Sequence, residues 1–178
     1  MAALAVGTGA VGRRALGAGI LLALAWLGTG CSPAPQAVIA VERESGGTVR
    51  LLTPDCPGMV IRSYSVFRDD EHDAELRNWA ISNNSWTQSL GSVRIFEVPK
   101  GWRAYADNLD PLAKGVPYVA GMSAGVSGKG LKGDVPFTLD QVGKLKSGEV
   151  LVSDGDKGSK AVSRADFLRD GKKACGSV

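Results

Sequence analysis

The sequence predicts an all-β domain, an antiparallel β-sandwich of immunoglobulin-like form, behind an N-terminal signal segment. Three observations predict it. About eight or nine short β-rich stretches follow residue 36, separated by turn signals every 8–15 residues. No stretch sustains a helical period. The 178 residues suit one domain with appendages.

The first element is a signal segment. Residues 1–30 carry two charges, Arg13 and Arg14, followed by the 13 apolar residues Ala15 to Leu27. That run falls short of the roughly 20 residues a spanning helix needs. Gly28-Thr29-Gly30 then leads to Cys31, and Ser32-Pro33-Ala34-Pro35 follows. Positive charge, a short apolar run and small residues are the three parts of a secretory signal.

Small residues ending in a Cys resemble the lipobox of bacterial lipoproteins. Gly30 before Cys31 and Ser32 after it fit, whereas Gly28 stands where Leu is usual, with Leu27 one step earlier. The resemblance implies that Cys31 carries fatty acyl groups such as palmitate and becomes the first residue. The other reading is a plain secreted protein whose Cys31 is free or disulfide-bonded. Arg13-Arg14 also resembles a twin-arginine export signal, beside the general secretory route. The expected organisation is a signal peptide over 1–30, a lipid-anchor tether over 31–36 and a β-sandwich over 37–178.

The strands come next. Ala37 to Arg43 is β-rich, and Ser45-Gly46-Gly47 reads as a hairpin turn into Thr48–Thr53. Met59–Phe67 is the clearest strand, with Val60, Arg62, Tyr64 and Val66 on one parity and Ile61, Ser63, Ser65 and Phe67 on the other. Leu76–Ser82 follows, then Val93–Pro99, ended by its proline. Gly101 to Tyr105 starts another strand, and Val116–Ser123 one more. The Gly- and Lys-rich run Gly125–Gly133 reads as a mobile loop. Asp134–Thr138 and Glu149–Ser153 are short strands, Leu139–Lys146 holds a helical turn, and Asp154–Ser159 is a hairpin loop. Ser163–Leu168 closes the domain as a strand or short helix.

Three cysteines form an odd count for a secreted chain. With Cys31 taken by lipid, Cys56 and Cys175 remain, and two cysteines in an oxidising compartment most simply pair. The loop so closed has about 120 residues, for which chain-entropy arithmetic gives roughly 4–5 kcal/mol. Zinc is a poor reading, since no CxxC occurs and His72 is the only histidine. A catalytic cysteine would need that same histidine as its base.

Removing residues 1–30 removes two arginines and no acid. The remaining 148 residues hold 19 basic and 18 acidic side chains, and the formal charge falls from +3 to +1. A balanced chain does not predict nucleic-acid binding.

Taken in order, Cys31, Cys56-Pro57-Gly58, the strand Val60 to Val66, Trp79-Ala80-Ile81, Val98-Pro99-Lys100-Gly101-Trp102 and Cys175 resemble small lipoproteins of high-GC Gram-positive (actinobacterial) cell envelopes. The resemblance spans most of residues 31–175. It implies an envelope location and a β-sandwich, and it brings no activity with it.

Candidate sites remain. Asp69-Asp70-Glu71-His72-Asp73-Ala74-Glu75 gathers five carboxylates and the histidine. Asp69, Asp70, Glu71 and Asp73 could supply oxygens to Ca²⁺, but no calcium-loop spacing is met, so the run reads as a solvated turn. Asp154-Gly155-Asp156 lacks the twelfth-position Glu of an EF-hand, where Ala165 stands, and reads as a turn. Gly128 to Gly133 lacks the spacing of a phosphate loop. Gly121-Met122-Ser123-Ala124-Gly125 matches the nucleophile-elbow pattern, but no His follows Ser123. Among the aromatics, Trp79 reads as core and Trp102 as a plug at one end. Trp86, in Asn83 to Gln88, is the candidate for ligand binding.

The expectation is a lipid-anchored, extracytoplasmic, non-enzymatic interaction or accessory module. It needs no cofactor, touches the membrane through its anchor, meets an envelope protein or a glycan, and avoids nucleic acid. The alternative is a binding module for a small ligand, glycan or cation.

Overall fold

Residues 37–70, 77–84 and 90–176 are described by a computed structural model. Their strands are β1 (Ala40–Arg43), β2 (Val49–Leu52), β3 (Met59–Arg68), β4 (Asn78–Asn83), β5 (Ser92–Arg94), β6 (Trp102–Asp107), β7 (Tyr118–Val126), β8 (Lys129–Phe137), β9 (Glu149–Ser153) and β10 (Ser159–Ser163). Two helices join them, α1 (Leu139–Gly143) and α2 (Arg164–Gly176). The strands form two five-stranded antiparallel sheets, ordered β10-β9-β1-β2-β5 and β6-β4-β3-β7-β8. The β-sandwich expected from the sequence is the observed architecture, and Pro35–Val178 forms one compact unit. The immunoglobulin-like detail is not confirmed by this strand order.

Side-chain parity explains the layers. In β3, Tyr64 and Val66 point inward, and a register shift between Ile61 and Ser63 lets Ile61 point inward as well. They meet Trp79 and Ile81 of β4 and Val41 and Leu51 of the other sheet in one core. The alternate residues of β1 and β2, Ala40 and Leu52, are also buried, but in a second apolar cluster with Val150, Val152 and Phe167. Phe167 belongs to α2, so this helix covers the outer face of the first sheet. Burial on both faces accounts for the unbroken apolar runs Val38–Val41 and Val150–Val152, which a half-exposed strand would interrupt.

Beside the helix, the same outer face carries charge. Arg50 bonds Glu42 and Glu44 at 2.8 Å each, Arg94 bonds Glu44 at 2.6 Å and Glu97 at 3.2 Å, and Arg164 reaches Glu42 at 3.3 Å. Alternating signs let each carboxylate near the sheet keep a partner despite partial burial.

Three expectations need correction. The Gly125–Gly133 run is a hairpin, not a loop: Gly125 pairs with Gly130, Ala124 with Leu131 and Met122 with Gly133. Only Ser127 and Gly128 turn, both at positive φ. Small residues suit a strand that another segment must approach, and a Cβ at Gly133 would lie 2.7 Å from Val38 Cγ2. The closing segment, expected over Ser163–Leu168 as a strand or short helix, is a helix and runs on to 13 residues. Ser163 caps it, accepting from the Asp166 amide at 3.0 Å, while its hydroxyl donates to Asp166 Oδ2 at 2.6 Å. The Val93–Pro99 strand stops at Arg94, where Glu97 N donates to Arg94 O across a turn and Phe96 takes φ 69°. The helical turn expected over 139–146 is α1, with Thr138 and Gln141 forming a reciprocal capping box.

Candidate functional site

Cys56 and Cys175 form a disulfide, with Cα atoms 5.9 Å apart across 119 residues of sequence. It fastens the last turn of α2 to the segment between β2 and β3. Gly171 permits the close seating, since a Cβ there would fall 2.7 Å from Pro54 Cγ and 3.5 Å from Ala37 O. The first described residue, Ala37, therefore lies on the C-terminal half of α2.

Around that junction lies a cleft of about 310 Å³, bounded by α2, β9, β10 and Ala37. Its volume is at the lower end for small-ligand sites. Val152, Val162 and Phe167 give it an apolar floor, and Lys160, Asp166 and Asp170 a charged rim. Lys160 Nζ lies 2.6 Å from Asp154 Oδ1, and Arg169 lies 2.6 Å from Asp166 and 3.1 Å from Asp170. These contacts hold the carboxyls below the usual range. For Asp154 the cause is Lys160, for Asp166 it is Ser163 and then Arg169, and for Asp170 it is Arg169 and then Lys173. The rim is thus ionised and internally paired at neutral pH. It can orient a polar group over an apolar body.

The sequence did not point to this cleft, because its parts come from the two ends of the domain. One signal was present: Phe167, Leu168, Gly171, Ala174 and Cys175 recur at helical spacing.

The other candidates are placed as follows. Asp69 and Asp70 are exposed at the end of β3. Asp70 accepts from Arg68 at 2.9 and 2.8 Å, and that bond holds its carboxyl down. Glu71, His72 and Asp73 lie outside the described residues, as do Trp86 and Cys31. The described neighbours of the two candidate loops, Arg77 for the acidic run and Asn84 for Trp86, flank opposite ends of β4. Among the described residues, no group of three or more His, Cys, Asp or Glu side chains is placed to hold a metal ion.

Asp154 and Asp156 sit in the β9–β10 turn, closed by Asp154 N donating to Gly158 O at 2.7 Å. Ser123 lies mid-strand in β7, opposite Ser63 and Lys132, not at a strand-to-helix elbow. Gly128 to Gly133 lead along β8 rather than into a helix. Trp79 is fully buried, and Trp102 stacks on Tyr64 with ring centroids 5.6 Å apart.

In comparisons with protein-family models, curated proteins and solved structures, nothing matches this chain.

Proposed function

We propose that this chain is a lipid-anchored domain of the cell envelope, held on the extracytoplasmic side through Cys31 and acting as a non-enzymatic interaction or accessory module. The observation that carries the reading is the Cys56–Cys175 disulfide. A buried pair closing nearly the whole domain favours an oxidising compartment. Of the three cysteines, Cys31 is the one outside this pair. That cysteine stands after 13 apolar residues and two arginines, in the layout of an export signal. The kinship proposed is with small lipoproteins of actinobacterial envelopes.

The test is metabolic labelling with a fatty acid, comparing the wild type with Cys31→Ser. Label in the wild type alone supports the anchor; an unlabelled wild type refutes it.

The cleft beside Phe167 favours a second reading, a binding module for a small ligand with an apolar body and a polar head. A thermal-shift screen of lipid-like and glycan ligands, with Ca²⁺ for the acidic run, checks it. A flat response throughout sinks it.

A further inference from the structure

One end of the sandwich receives the tether and gathers exposed lysines. Ala37 lies against Gly171 and Pro54, and Cys56 joins Cys175 nearby. β3 starts at Met59 beside Val126, so the β7–β8 turn, with exposed Lys129, is at this end. Val41 pairs with Leu151 in antiparallel sense, so the β9–β10 turn, with exposed Lys157, is at this end too. The last turns of α2 add exposed Lys172 and Lys173, on the side of the helix away from buried Gly171 and Cys175. Asp55, Asp156 and Asp170 are the exposed carboxylates among them, Asp170 lying 3.3 Å from Lys173, while Asp154 is taken up by Lys160. The opposite end, where β3 finishes, exposes Asp69, Asp70, Asp107 and Asp110, with Asp70 paired to Arg68 and Asp110 to Arg77.

The geometry points to the end bearing Lys129, Lys157, Lys172 and Lys173 as a surface that lies on anionic lipid headgroups. This rests on the anchoring of Cys31 proposed above. Residues 31–36 number six and span at most about 20 Å when extended, and Pro33 and Pro35 stiffen them. An acylated Cys31 would thus keep Ala37 and the C-terminal half of α2 close to the bilayer. Lysines on three separate elements gather at one end, which suits an extended charged surface better than a single small anion. The tether and the lysines together set one orientation. Attraction of this kind fades beyond a Debye length of about 8–10 Å.

The experiment uses the mature protein in vesicles of phosphatidylcholine alone or mixed with phosphatidylglycerol. Each lysine's reactivity toward a water-soluble acylating reagent is read by mass spectrometry. Lys129, Lys157, Lys172 and Lys173 should lose reactivity several-fold on the anionic vesicles and regain it in high salt. Lys114, in the connection at the far end, should not change. Lys172→Glu with Lys173→Glu, both at exposed positions, should remove the protection of Lys129 and Lys157. Equal reactivity on both vesicles, in protein whose mass shows the lipid, overturns the orientation and leaves the anchor standing. A mass without lipid at Cys31 overturns both.

Discussion

At the scale of single residues, Gly171 sets two effects against each other. Alanine favours a helix interior over glycine by about 1 kcal/mol. Here its Cβ would meet Pro54 Cβ and Cγ at 2.8 and 2.7 Å, and forcing α2 off its seat costs roughly 1–3 kcal/mol. The clash wins because proline's ring is rigid. Gly171→Ala should therefore lower the urea midpoint. Tyr64 makes a similar point. It is fully buried, its hydroxyl donates to Leu90 O at 2.8 Å, and Thr53 Oγ1 lies 3.1 Å away. Burial pushes that hydroxyl far above the usual phenol range, so it stays a donor at any physiological pH. Tyr64→Phe removes both bonds and leaves only the longer one from Thr53 Oγ1 to Leu90 O at 3.3 Å, so it should cost about 1 kcal/mol in a denaturant titration.

The carboxyls of the α2 and β10 region give a pH dependence of definite sign. Asp154, Asp166 and Asp170 are depressed in the folded protein. A depressed carboxyl contributes stability above its unfolded pKa of about 4, and loses it as pH falls through the folded value. The thermal midpoint, followed by circular dichroism, should decline below pH ~4, and Asp166→Asn should flatten part of that decline.

At the scale of elements, β8 and α2 decide what could be read in advance. Glu149–Ser153 was legible as a strand because β-branched and apolar residues fill it between turn signals, and β9 has those bounds. The first half of β8 was not legible. Its composition, Lys-Gly-Leu-Lys-Gly, is that of a loop, and only pairing with β7 over nine register positions holds it extended. Tertiary pairing overrode local propensity there. Leu131 shows the difference, being 8% exposed. Leu131→Ala should cost about 2–3 kcal/mol, where a mobile loop would show nothing. α2 was legible only in part, as one of two readings and at half its length, for another reason. Its Ser163-x-x-Asp166 cap and its helical apolar spacing were written in the sequence, but a short tail gave them little weight beside a run of strands. The cleft was missed with the rest of the helix, because it exists only where α2 lies across β9 and β10. The disulfide, in contrast, was legible from the cysteine count once the export-like segment before Cys31 had set that residue aside. Replacing both Cys56 and Cys175 by serine should cost roughly 4–5 kcal/mol, measured as the fall in unfolding free energy.

At the scale of the whole molecule, the disulfide converts most of the chain into a ring. Residues 56 and 175 are joined across 119 positions, and every connection between β3 and α2 lies inside that span. A protease that cuts in any of those connections opens the ring but frees no fragment, since both new ends stay joined through sulfur. Such a nicked domain would keep its mass and its sheets. It should run as one band on a denaturing gel without reductant and as two with it. Exposure to extracellular proteases would then damage this protein visibly only after its disulfide is reduced.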